Sequence, residues 1–248
     1  MKEVCRLLPA ENLLYFADSA YCPYGAKPLE VIRNRVFSIC DFLIARGAKL
    51  LVLACNTASV AALDAVRERF SIPVVGTEPA VKPAAAATQN GRIGVLATQV
   101  TLAGDRFNSL VERFGDGVEV YTQPCHGLVE LVESGRWDGP ETEALLRRCL
   151  DQLLVRGVDT IILGCTHYPF LRPVVERLAG SGIIVIDSGE AVARQVARVL
   201  EKSGLAVGGA VAGGESFFTS GDPRHVEPVI RLLWGNPELV VKQEKFGL

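Results

Sequence analysis

The chain has little net charge. Its 248 residues sum to a formal −2, with 22% charged and 49% hydrophobic side chains. No electrostatic footprint therefore points to a nucleic acid or to an anionic membrane surface, and a small molecule is the default partner. A secretory leader is missing too, because Lys2, Glu3, Arg6, Pro9, Glu11, Asn12 and Asp18 break up the opening segment. No later stretch stays apolar for the roughly 20 residues that span a bilayer. These absences predict a soluble, cytoplasmic protein with no membrane partner. Also absent is any Cys-x-x-Cys pair. The seven cysteines, Cys5, Cys22, Cys40, Cys55, Cys125, Cys149 and Cys165, are odd in number, which argues against a disulfide framework and against a zinc ribbon. Reduced thiols and no metal site are the expectation. The glycines from Gly208 to Gly214 lack the strand and helix placement of a phosphate loop, so no nucleotide cofactor is implied.

What is present is one statement made twice. Arg46-Gly47 leads into an apolar run at 49–54 that breaks off at Cys55-Asn56-Thr57. Arg156-Gly157 leads into a second run at 159–164 that breaks off at Cys165-Thr166-His167, 110 positions further on. Both cysteines thus stand where a buried parallel strand ends, and open α/β sheets gather their ligands beyond the carboxyl ends of their strands. Two thiols presented alike by two half-molecules suggest a pseudo-symmetric site with a sulfur on each side of a substrate.

Apolar strands and amphipathic helices alternate at the spacing of βα units, which predicts an α/β fold of mainly parallel sheets flanked by helices. Strands are expected at 13–16, 49–54, 72–75, 92–97, 118–121, 159–164, 183–186 and 216–219. Helices are expected at 28–45, 59–70, 101–114, 140–156, from 165 to about 179, 190–202 and 223–234, the last closing the chain. A glycine-rich loop is expected at 204–214. Residues 2–8 read as the tail of a helix.

Free cysteine is among the most buried residue types and usually behaves as a small hydrophobe. Cys5, Cys22, Cys40, Cys125 and Cys149 are read that way. Cys55 and Cys165 differ because each is followed by hydrogen-bonding side chains that a structural strand end does not need.

The runs Ala54-Cys55-Asn56-Thr57-Ala58-Ser59 and Leu163-Gly164-Cys165-Thr166-His167-Tyr168-Pro169 resemble the paired signatures of glutamate racemases, the cofactor-independent racemases that use two cysteines. Asp18 with Pro23-Tyr24-Gly25, Ala97-Thr98 with Thr101, Leu131-Val132-Glu133-Ser134-Gly135 and Phe217-Phe218-Thr219-Ser220-Gly221-Asp222 match in the same order. His167 after Cys165-Thr166 resembles glutamate racemases more than aspartate racemases.

The resemblance implies two pseudo-symmetric lobes, 1–79 with 188–248 and 80–187, with the active site between them. It implies glutamate as substrate, D-glutamate supply for peptidoglycan as the role, no cofactor, and homodimers as a common state. Cys55 would deprotonate the D-isomer and Cys165 the L-isomer. The chemistry suits the residues, since inverting a weakly acidic carbon centre needs a base on one face and an acid on the other, and a thiol–thiolate pair supplies both. Asn56, Thr57, Thr98, Thr101 and Thr166 would hold carboxylates with helix-start amides, joined by Tyr24, Gly25 and His167. His167 and Glu133 would tune Cys165, and Asp18 would assist on the Cys55 side. By the same resemblance the chain begins after the strand and Asp-Ser-Gly loop with which such racemases open. Two alternatives stand beside this reading: a truncated, inactive homologue serving as a binding module, and a racemase for aspartate or a related small acid.

Overall fold

The computed structural model describes residues 1–209 and 211–246. Ala210, within the expected 204–214 loop, and the last two residues of the expected 188–248 segment lie outside them. Strands run in chain order as β1 (Leu13–Ala17), β2 (Leu51–Leu53), β3 (Val74–Gly76), β4 (Arg92–Ala97), β5 (Glu119–Pro124), β6 (Thr160–Leu163), β7 (Ile184–Asp187), β8 (Glu215–Thr219) and β9 (Val241–Gln243). All pairings between them are parallel. The chain divides into two compact units. The first comprises Met1–Ala54, Ala61–Thr77 and Gly189–Leu248, the second Cys55–Val60 and Glu78–Ser188.

In the first unit, β1, β8 and β9 form one sheet and β2 and β3 another. The register of β1 on β8 sets Ala17 opposite Thr219, so the residues after both strands leave from the same sheet end. The Leu29–Ala45 helix buries Ile32, Arg35, Val36, Cys40 and Phe42, the three-and-four spacing of one helical stripe. Phe42 meets Phe16 and Phe218 edge-on. The Gly189–Lys202 helix buries Ala193, Val196 and Leu200 against Val4 of the Lys2–Leu7 helix and Val75 of β3.

In the second unit the strand order is β5-β4-β6-β7. β6 is buried at every position and β4 at every position after Arg92, as a parallel sheet covered on both faces requires. From β4 the chain proceeds outward to β5, and from β6 outward in the opposite direction to β7. The carboxyl ends of β4 and β6 therefore flank a topological switch point, the place where such sheets bind ligands.

Several elements depart from the sequence expectation. The expected helix at 101–114 is two, Gln99–Ala103 and Asp105–Phe114, parted at Gly104. The expected helix after Cys165 opens with a 3-10 turn at Tyr168–Leu171 before the Arg172–Ala179 helix; Pro169 and Pro173 interrupt the ladder there. The chain does not close on the Pro223–Trp234 helix, because β9 follows and adds to β8. Two helices had no expected counterpart. Val81–Ala87 carries a proline and then an alanine run, a helix made by propensity rather than by an apolar stripe. Leu128–Glu133 is six residues long, too short to show a period. Among the described residues, no helix is long and apolar enough to cross a membrane.

Candidate active site

Cys55 and Cys165 both belong to the second unit. Cys55 ends the segment after β2 and caps the Asn56–Arg69 helix, which starts earlier than the expected 59. Its carbonyl accepts from the Ser59 amide at 2.9 Å, and its sulfur accepts from the Ala58 amide at 3.5 Å. A sulfur at a helix N-terminus sits where the helix favours negative charge. Burial nonetheless pushes the Cys55 thiol up to about 11. The neighbouring Cys165 adds to the rise, while the Ala58 amide and His167 oppose it. The two sulfurs are thus close enough for the charge of one to be felt by the other.

Cys165 follows β6 by way of Gly164. A side chain at Gly164 would bring a Cβ within 3.0 Å of both the Ala97 Cβ and the Leu96 carbonyl oxygen. Glycine there lets the ends of β4 and β6 close up, and the Gly164 amide donates to Leu96 O at 2.7 Å. Cys165 itself is 6% exposed. Its Sγ lies 3.9 Å from His167 Nδ1, and His167 Nε2 lies 2.7 Å from Glu133 Oε1 at the end of the Leu128–Glu133 helix. With Nε2 carrying a proton toward the carboxylate, a neutral ring turns its Nδ1 lone pair to the thiol. Thr166, between the two, is half-buried.

Three threonines meet beside Cys55. Thr57 Oγ1 lies 2.9 Å from Thr98 Oγ1 and 3.4 Å from Thr101 Oγ1, and Thr98 and Thr101 are 2.9 Å apart. Thr98 also caps the Gln99–Ala103 helix by accepting from the Thr101 amide. The break at Gly104 makes this approach feasible, since a Cβ there would press to 2.9 Å on Val60 of the Cys55 helix. Asn56 is 3% exposed, and neither its amide nitrogen nor its amide oxygen has a partner among the described residues. A buried amide with both ends unsatisfied is costly unless something polar completes it.

The other expected site residues lie in the first unit. Tyr24 and Gly25 form a short 3-10 turn, Tyr24–Ala26. Asp18 directs its carboxylate to Tyr24, Arg35 and Ser220.

Sequence reasoning passed over Arg35 and quoted Ser220 only as part of a matching motif, with no role. The signal for Arg35 was available, since it shares a helical stripe with Ile32 and Val36, where an apolar residue is expected. Of the cysteines read as packing residues, Cys125 and Cys149 are buried, and Cys149 together with burial raises the Cys125 thiol. Tyr168, buried, donates to Cys125 O at 3.0 Å.

Residues 1–196 match the family model described as Asp/Glu/hydantoin racemase. Over 243 residues the chain is 53% identical to a glutamate racemase of Pseudomonas aeruginosa, covering 98% of this chain and 91% of that protein. It is 48% identical to a glutamate racemase of Roseiflexus, covering 94% of this chain and 86% of that protein. Among solved structures, a glutamate racemase isoform of Bacillus anthracis superposes with a TM-score of 0.88 at 30% identity, covering 100% of this chain and 92% of that one. Escherichia coli glutamate racemase, solved in complex with L-glutamate and the activator UDP-MurNAc-Ala, gives 0.87 at 33% identity, covering 99% and 93%.

Proposed function

The chain belongs to the Asp/Glu/hydantoin racemase family, and from that premise we propose how it works: it is a glutamate racemase whose thiols, Cys55 and Cys165, exchange protons with opposite faces of the α-carbon. The observation that carries the reading is the placement of both cysteines in one compact unit, each just past the end of a strand. D-glutamate made in this way would serve peptidoglycan synthesis.

In the D-to-L direction the Cys55 thiolate takes the α-proton and becomes a thiol. The electron pair left on carbon delocalises into the α-carboxylate, and the Cys165 thiol delivers its proton to the opposite face, ending as a thiolate. The reverse direction exchanges the roles. The two sulfurs hold one proton between them before each turnover. In the ligand-free protein Cys55 rests as a thiol. A substrate ammonium beside its sulfur supplies the positive charge that burial withholds and draws the pKa down.

Charge developing on the α-carboxylate needs donors already in place. The unpartnered Asn56 amide and the amides at the start of its helix are suited to that task. The Thr57, Thr98 and Thr101 hydroxyls, with Thr166, supply further donors for carboxylate oxygens. His167, backed by Glu133, accepts the Cys165 proton when Cys165 must serve as base.

The test is a substrate panel read by chiral chromatography. Purified protein should bring L-glutamate and D-glutamate to the same racemic end point while leaving aspartate unchanged. Turnover of aspartate in preference to glutamate contradicts the assignment.

A further inference from the structure

The first unit contains a polar cluster centred on Asp18. The carboxylate follows β1, and Ser220 follows β8 at the paired strand end. The Ser220 amide donates to Ala17 O at 3.1 Å, and its hydroxyl donates to Asp18 Oδ1 at 2.7 Å. Arg35 adds a two-pronged contact, Nη2 to Oδ1 at 2.6 Å and Nε to Oδ2 at 3.1 Å. The Tyr24 hydroxyl donates to Oδ2. The guanidinium also lies over the Tyr21 ring, 3.9 Å from its centroid.

The side chains of Arg35 and Asp18 are 1% and 8% exposed. A buried ion pair is weak evidence for stability, since desolvating two charges offsets much of their attraction. Arg35 occupies a helical stripe otherwise made of Ile32, Val36, Cys40 and Phe42, and its Nη1 has no partner among the described residues. A well-packed apolar side chain would serve the core at lower cost. The cluster does fix geometry. A carboxylate clamped by a guanidinium fork and a serine can only accept, so the Tyr24 phenol must donate, and its ring is held in one orientation.

We propose that Arg35 is a positioning residue: with Ser220 it anchors Asp18, and through Asp18 it holds the Tyr24-Gly25 turn in the conformation that receives glutamate. The proposal rests on the glutamate racemase reading. It replaces general assistance by Asp18 with a defined task, because a carboxylate engaged by three residues is a strut rather than a proton acceptor.

The experiment is a set of double-mutant cycles with glutamate as substrate, combining Arg35→Lys or Ser220→Ala with Tyr24→Phe. Lysine keeps the charge and loses the fork. Ser220→Ala leaves the ion pair intact and so guards against an Arg35 variant that fails to fold. Each single variant at 35 or 220 should raise KM for glutamate, about tenfold for Arg35→Lys and about threefold for Ser220→Ala, with kcat changed less than about twofold. In the Tyr24→Phe background either change should add less than about twofold, because the residue it acts through is already gone. Effects that multiply independently of Tyr24, or a lowered Tm with unchanged KM, overturn the proposal while leaving a wild-type racemase intact. A folded wild-type protein that does not racemise glutamate overturns the underlying reading, and this proposal with it.

Discussion

His167 Nε2 and Glu133 Oε1 lie 2.7 Å apart, and this contact orients the imidazole whose other nitrogen lies 3.9 Å from Cys165 Sγ. Cys55 Sγ, by contrast, accepts the Ala58 amide at 3.5 Å. The two thiols are alike in their placement at strand ends and unlike in how they are tuned. One is assisted by an ionisable side chain, the other by a helix start.

That asymmetry predicts direction-dependent damage. His167→Asn should slow proton removal from L-glutamate, where Cys165 is the base, by roughly 10²-fold, in line with the usual contribution of an acid–base group. Glu133→Gln should do the same more mildly. Primary deuterium isotope effects measured from each enantiomer check this. An isotope effect from L-glutamate that does not grow relative to that from D-glutamate would assign His167 a binding role only.

Asn56 predicts a trade of function against stability. Its buried amide is unsatisfied without ligand, so Asn56→Ala should leave the ligand-free Tm unchanged or raise it by a few degrees, since about 1–3 kcal/mol of desolvation cost is removed. The same variant should lower kcat/KM by about 10²-fold or more. Calorimetry with and without glutamate separates the two effects. A fall in ligand-free Tm would show that the amide has a structural partner.

The Cys55 titration carries its own signature. Its pKa is raised from 9.0 to about 11, chiefly by burial and next by Cys165. Alkylation of Cys55 by iodoacetamide in the ligand-free protein should therefore keep climbing with pH toward 11 instead of levelling near 9.0. Cys165→Ala removes a like charge and should move the midpoint down. Because the folded value exceeds the unfolded one, the stability linked to Cys55 is fully present below pH 9.0 and is lost as pH rises through about 11. A midpoint at or below 9.0 would contradict the burial argument.

Gly164→Ala tests the closure of β4 on β6. Its methyl group would meet Ala97 Cβ and Leu96 O at 3.0 Å, and overpacking of this kind costs about 1–3 kcal/mol. A lower Tm accompanied by a loss of activity larger than the instability explains is expected, because Cys165 moves with the strand end. Wild-type kcat in this variant would show that the spacing is slack.

Much of this could be read from the residues. The repeated Arg-Gly, apolar run and cysteine marked both strand ends because buried parallel strands are short and nearly uniformly apolar, and polar residues behind a cysteine stand out against them. What could not be read depends on contacts between segments far apart in sequence. The break at Gly104 follows from the approach of Val60, which local periodicity does not encode. β9 is three residues long and exists by pairing with β8. The link from Asp18 to Ser220, about two hundred positions apart in sequence, appears only once β1 and β8 are in register, and Arg35 reaches the same carboxylate from its helix. Asn56 was legible as a residue near the site, but its unsatisfied amide was not, since satisfaction is a property of the fold.

The central claim is that two thiols act on opposite faces of one carbon, and exchange of the α-proton in D2O tests it most directly. Proton NMR of the purified protein with L-glutamate and, separately, with D-glutamate should show loss of the α-proton signal from both. Cys55→Ser should stop exchange from the D-isomer and Cys165→Ser exchange from the L-isomer, so that each single variant fails on the isomer its missing thiol deprotonates. Exchange from both enantiomers that survives in either folded variant would contradict the two-base account.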